Sequence, residues 1–115
     1  MESLGELERA VMDQLWSRAV PVSATELRDA LADRGLALTT VHTVLTRLEH
    51  KRFVQHDEAR PRRFAAVASR EEHAAGLMHE VLGQATDRQA VLARFVGSAS
   101  PAEAAVLRAL LAESD

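Results

Sequence analysis

The sequence predicts a mostly α (α+β) chain: a winged helix-turn-helix domain over residues 1–68 and a C-terminal helical dimerisation segment over residues 69–115. Three observations lead there. Residues 39–51, TTVHTVLTRLEHK, read as a helix with one oily and one hydroxyl-rich face. Just after it, two short β-leaning runs, each with a phenylalanine, flank a turn rich in arginine. The chain then changes to Ala, Leu and acids, in helical stripes too slight to bury themselves.

Taken in order, Leu4, Leu7, Val11 and Leu15 repeat at i, i+3, i+7 and i+11, with Met12 and Trp16 alongside. That is a first amphipathic helix, ending near Arg18 and broken by Pro21. Trp16, a lone aromatic beside an apolar stripe, reads as packing between helices and not as a stacking platform. Ser23-Ala-Thr-Glu26 is a capping box that opens a second helix, with Leu27 and Leu31 inward and Gly35 as the residue that ends it. The free N–H groups of that helix start make Ser23 and Thr25 candidates for holding a phosphate; a plain cap is the other reading of Ser23.

Only residues 36–39 separate this helix from the next, a helix-turn-helix layout. The next helix starts either with Thr39 as N-cap or with Ala37, which puts Thr39 in the first turn. At roughly 100° per residue, Val41, Val44, Leu45 and Leu48 fall on one stripe. Thr39, Thr40, His42, Thr43, Thr46, Arg47 and His50 fan over the other side, with no carboxylate until Glu49. Four threonines are a poor choice for helix stability alone. Short hydroxyls carrying a methyl group are what a helix needs to read base edges in the major groove. A solvated face that happens to be Thr-rich is the alternative on this helix alone.

Phe53-Val54-Gln55-His56 and Arg62-Arg63-Phe64-Ala65-Ala66-Val67 flank Asp57-Glu58-Ala59-Arg60-Pro61. The pattern predicts a hairpin with Phe53, Val54, Phe64 and Val67 inward, and Pro61 at an edge or in the loop. Arg60, Arg62 and Arg63 at its tip suit phosphate or minor-groove contact.

Beyond Val67, Ser69-Arg-Glu-Glu72 is a second capping box, and its helix carries Leu77, Met78, Val81 and Leu82 as an apolar stripe. Asp87 starts a fifth helix with Val91, Leu92, Phe95 and Val96, stopped by Gly97. Ser100-Pro-Ala-Glu103 is a third capping box with proline at its first helical position, followed by Leu107, Leu110 and Leu111. The expected partner for these stripes is the same segment of a second copy; folding back on the winged helix as a monomer is the alternative.

The formal net charge is −3, yet its distribution is uneven. Residues 1–34 carry −3, residues 35–68 carry +3 and residues 69–115 carry −3. The basic island contains the threonine-faced helix, and phosphate attraction is local, screened within about 8–10 Å. With no cysteine, disulfides, thiolate zinc sites and thiol catalysis are excluded. No Gly-rich phosphate loop and no spaced nucleophile, base and orienting group appear, so no enzyme and no cofactor are expected. His73 and His79 lie six apart, about 240° around a helix, and read as surface histidines with no shared metal. An inter-subunit zinc site using His50 or His56 is the one metal alternative. No apolar run approaches the ~18 residues of a membrane span, and a soluble cytoplasmic protein with no membrane insertion is expected.

The segments LGELERAVMDQLW, TTVHTVLTRL, Arg63-Phe64 and SREE, with LARFV and SPAEAAVLRALL in the tail, resemble the penicillinase-repressor (BlaI/MecI) family of bacterial transcriptional repressors, over nearly the whole chain. The resemblance implies a winged helix reading a dyad operator in double-stranded DNA, and a helical segment that intertwines two subunits. By position, Thr39, Thr40, His42 and Thr43 would face bases and Arg47 a phosphate, with His42 at a site where members vary. The family's wing usually has a glycine in its turn; residues 57–61 have none. In the β-lactam branch a membrane sensor metalloprotease releases the repressor, and the matching bond here is Arg94–Phe95. A regulator released by a small ligand or metal, or a winged helix used only for protein contact, are the rival readings. The basic island argues against the latter.

Overall fold

The computed structural model describes residues 4–114. Its order is α1 (Glu6–Trp16), β1 (Val22–Ser23), α2 (Ala24–Ala30), a 3₁₀ turn (Ala32–Arg34), α3 (Leu38–His50), β2 (Val54–His56), β3 (Arg63–Ala66), α4 (Arg70–Gly83), α5 (Arg88–Ser98) and α6 (Pro101–Glu113). Contacts divide it into two compact units, Met1–Ala74 and Ala75–Asp115.

The first unit is a winged helix. Val11, Met12 and Leu15 of α1 meet Leu27 of α2, Leu31, and Val41, Val44, Leu45 and Leu48 of α3 in one core, closed below by Val22, Val54 and Phe64. All four residues of the α3 stripe are buried, so one face of that helix is fixed and the other is free. The sheet is antiparallel in the order β1-β3-β2. Its first strand, Val22–Ser23, is too short to leave a periodic signal, yet it pairs Val22 with Phe64 and Ser23 with Arg63.

Several local expectations change in detail. Helix α3 begins after Ala37, which has no side-chain cap, so Thr39 lies in the first turn. Gly35 does take the left-handed conformation, φ 61°, but it closes the 3₁₀ turn that follows α2. Val67 is exposed, not inward. The two-residue period of a strand explains this: Phe64 is buried, so Ala66 shares its face and Val67 takes the other.

Helix α3 stops without a glycine. Arg52 adopts φ 66°, while the Phe53 N–H donates to the Leu48 carbonyl and the Arg52 N–H to that of Glu49, both at 2.9 Å. That is a Schellman-type end with arginine in the position glycine usually holds. It turns the chain from α3 into β2 within three residues. Trp16 packs as expected: its Nε1 donates to the Ala68 carbonyl at 3.1 Å, and the Arg70 guanidinium lies 5.0 Å from its ring centre. His73 is not a surface histidine. Its ring sits 5.3 Å from that of Trp16 and 4.9 Å from that of Phe53, so the first turn of α4 is packed into the winged-helix unit.

The second unit is helical, and its caps are those the sequence marks. The Asp87 carboxylate accepts the Ala90 N–H, and Ser100 exchanges hydrogen bonds with Glu103. Gly97 does not stop α5, which runs one residue further, to Ser98. No residue of α4, α5 or α6 is buried among those described.

Candidate nucleic-acid interface

The free face of α3 carries Thr39, Thr40, His42, Thr43, Thr46 and Arg47, every one exposed. The Thr43 hydroxyl donates to the Thr39 carbonyl and the Thr46 hydroxyl to the His42 carbonyl, both at 2.9 Å. These four-residue back-bonds use the hydroxyl hydrogens and leave oxygen lone pairs and γ-methyl groups facing outward. Such a surface has the chemistry to accept from adenine N6 or cytosine N4 and to pack on a thymine methyl; rotating a hydroxyl supplies a donor. Glu49, the first carboxylate on the helix, is half-buried and turned to His56, 2.9 Å away. The reading face therefore carries no negative charge of its own.

At the start of α2, Ser23 is buried. Its hydroxyl accepts the Glu26 N–H at 3.1 Å, and its own N–H donates to Glu26 Oε1 at 2.9 Å. The Ser23 N–H and hydroxyl hold the Glu26 carboxyl below the usual carboxylate range, so the cap is an ionised one. Ser23 thus spends its side chain on the helix end, while Thr25 is exposed. Arg63 lies opposite Ser23 in the sheet, which brings this helix end and the base of the wing together.

The wing turn needs no glycine, since none of residues 57–61 has positive φ, and Asp57 closes it. Its Oδ1 accepts the N–H groups of Ala59 and Arg63 at 3.0 Å, and its Oδ2 accepts Arg63 Nε at 2.7 Å. The first of these is an Asx turn, in which a carboxylate replaces a backbone acceptor. The Arg63 N–H above all holds Asp57 below its ordinary acidity range. Arg63 is thereby engaged within the wing. Arg60 and Arg62 are exposed, and with Glu58, Ala59 and Pro61 they line a hollow of about 240 Å³ at the tip.

Sequence reasoning missed Glu8. It is buried at 6% exposure; its Oε1 accepts the Gly5 N–H at 2.7 Å and Lys51 Nζ at 2.9 Å. The Gly5 bond first, then Lys51, hold it ionised, and the charge of Arg47 adds to this. A buried anion thus faces Arg47 of α3 and Lys51, the residue that caps that helix. The signal was present: Glu8 stands at i+4 from Leu4 and i−3 from Val11, inside the apolar stripe.

In the second unit Leu77, Leu82 and Leu107 are half-buried, and Met78, Val81, Leu92, Phe95, Val96, Leu110 and Leu111 are exposed. Helices α4 and α5 frame an apolar groove of about 490 Å³, lined by Leu77, Met78, Val81, Leu82, Leu92 and Phe95 among others. The Arg94–Phe95 bond lies in the middle of α5. Among the described residues no cluster of three or more His, Asp or Glu side chains could hold a metal ion, and no helix is long and apolar enough to cross a membrane.

Comparison with known proteins bears on the family and the fold. The family model described as penicillinase repressor matches residues 4–113. Two curated relatives, each called transcriptional regulator BlaI, come from Mycobacterium tuberculosis strains CDC 1551 / Oshkosh and H37Rv. Both are 50% identical to this chain over 115 residues, covering 96% of it and 83% of their own length. A solved structure, described as a MarR family protein from Bacillus stearothermophilus, superposes with a TM-score of 0.52 at 19% identity. That match covers 97% of this chain and 73% of the other and bears on the fold alone.

Proposed function

Since the chain belongs to the penicillinase-repressor family, whose members are transcriptional regulators and not enzymes, we propose that it represses transcription as a homodimer bound to a dyad operator in double-stranded DNA. The observation that carries this reading is the free face of α3. Thr39, Thr40, His42, Thr43 and Thr46 stand exposed on a helix whose other side is locked in the core, and the exposed Arg47 follows as the cation for a phosphate. Thr25 at the start of α2, and Arg60 and Arg62 on the wing, extend the contact to the backbone. Ser23 shapes the helix end, and Arg63 shapes the wing through Asp57.

Retention of genomic fragments at moderate ionic strength tests this, with the best-retained fragment then used as cognate site. Thr43→Ala is expected to cost about 1–3 kcal/mol on that fragment and much less on random DNA. Arg47→Ala is expected to weaken binding to all sequences and flatten the salt slope by about one unit. Equal losses on both DNAs for the threonine change would refute base reading.

Dimerisation through α4–α6 is supported by stripes whose residues stay exposed or only half-buried within the unit. For release, cleavage at Arg94–Phe95 by a membrane sensor metalloprotease is the reading the family suggests. Both residues are exposed, but the bond is helical, so a protease would have to unwind α5 locally. Mass spectrometry of the protein from induced cells would detect a fragment ending at Arg94; fragments ending elsewhere, or none, would reject it.

A further inference from the structure

The wing carries two acids beside a surface meant for a polyanion. Asp57 is neutralised by Arg63 and by backbone N–H groups. Among the described residues Glu58 makes no ion pair with a lysine or arginine, although Arg60 and Arg62 line the same hollow: it is exposed, and the Nε2 of His56 lies 4.0 Å from its Oε1. On the other side of the same ring, Nδ1 is 2.9 Å from Glu49 Oε2 of α3. One imidazole in β2 therefore has a carboxylate at each nitrogen, one from the helix that reads DNA and one from the wing turn.

A neutral imidazole has a single N–H. Donating from Nδ1 to Glu49 leaves the Nε2 lone pair facing the Glu58 carboxylate, which is repulsive. An imidazolium donates from Nδ1 to Glu49 and turns a positive N–H toward Glu58, which at 4.0 Å is attracted by charge without a hydrogen bond. The other neighbours do not compete. Across the sheet His56 meets Phe64, an uncharged ring 5.9 Å away. Arg63 is held by Asp57, and Lys51 at the end of α3 reaches Glu8. Phosphates brought to the wing favour the positive form further, because binding and proton uptake are reciprocal.

We propose that His56 is a positioning residue of the DNA interface: when protonated it holds Glu49 of α3, offsets part of the charge of the exposed wing carboxylate Glu58, and couples DNA binding to uptake of a proton. This rests on the DNA-binding reading above. It also accounts for acids in a glycine-free wing, where they would otherwise repel the duplex.

The test is fluorescence anisotropy with one labelled mixed-sequence duplex at constant salt, at about pH 8 and about pH 5.5, the span over which imidazoles change charge. Glu8, Glu26 and Asp57 stay ionised throughout, being held below the usual carboxylate range. The wild-type affinity is expected to rise toward acid by about fivefold more than that of His56→Gln. His42 and His50, exposed on α3, contribute equally to both proteins and cancel in the comparison. Glu58→Gln, at a side chain too exposed to disturb folding, is expected to bind about two- to threefold tighter than wild type at the higher pH and to gain less on acidification. An undiminished acid gain in His56→Gln, or no tightening by Glu58→Gln at the higher pH, overturns the proposal. A wild type that binds the duplex at neither pH sinks the DNA-binding reading itself, a result distinct from either of those.

Discussion

In the winged-helix unit each apolar stripe meets another: Val11, Leu27, Val41 and Leu48 are all 0% exposed. In α4–α6 stripes of the same residue types stay in solvent, with Leu110 at 57% and Leu111 at 70%. The two regions share their local grammar. Ser23 and Ser100 open helices through the same reciprocal exchange with a glutamate three residues on. Caps decide where a helix begins; only surrounding mass decides whether its oily side is covered. Three short helices lack that mass. The contrast is the physical case for a second copy, and the experiments that follow are aimed at it.

The largest effect is expected from Leu48→Ala, which empties the centre of the first core and should cost about 2–5 kcal/mol in denaturant melts. The same kind of truncation at Leu111 should cost under about 0.5 kcal/mol if that side chain stays wet. A larger loss that varies with protein concentration would mean a second copy covers it. Next comes Leu107→Asp. Sedimentation should give half the wild-type mass, and apparent operator affinity should fall by about a hundredfold as paired half-site binding is lost. An unchanged mass would put the interface elsewhere and erase the contrast.

Acid provides a subtler probe of the first unit. The Glu8 carboxyl is held below its ordinary range by the Gly5 N–H and Lys51. Its stabilisation is therefore full above the unfolded value and disappears as pH falls through the lower folded one. Glu8→Gln should flatten the decline of the melting temperature below about pH 4.5 and leave its shape near neutrality alone. A parallel decline in both proteins would deny Glu8 that role. The smallest effect is a gain: Arg52→Gly should add about 0.5–1 kcal/mol by relieving the left-handed backbone at the end of α3. No gain would mean that the arginine side chain offsets its own strain.

What could be read from the sequence follows the range of the interaction. Serine and glutamate three apart are a local event, so the starts of α2, α4 and α6 were legible. So was the α3 stripe, whose period survives in the letters. The end of α3 was not, because arginine fills a position where glycine would have been the cue. Strand β1 was missed because its two residues depend on a partner forty positions away, Arg63 and Phe64. Val67 was misassigned for want of the strand's phase, which only Phe64's burial fixes. The exposed threonines and wing arginines were all legible as residue types. The partners that alter their availability, Asp57 for Arg63 and Glu26 for Ser23, were not, since the sequence does not say which acid closes which turn.

The packing of His73 between Trp16 and Phe53 has a consequence for turnover in the cell. The buried core and the His73 packing lie before Ala75, so a chain severed at Arg94 is expected to keep a folded winged helix. On the proposed dimeric reading, what such a cut would remove is the link between two copies. If the proposed repression and release hold, the severed piece would linger as a feeble solitary competitor for half-sites, and recovery of silencing would wait on its dilution or disposal, not on refolding.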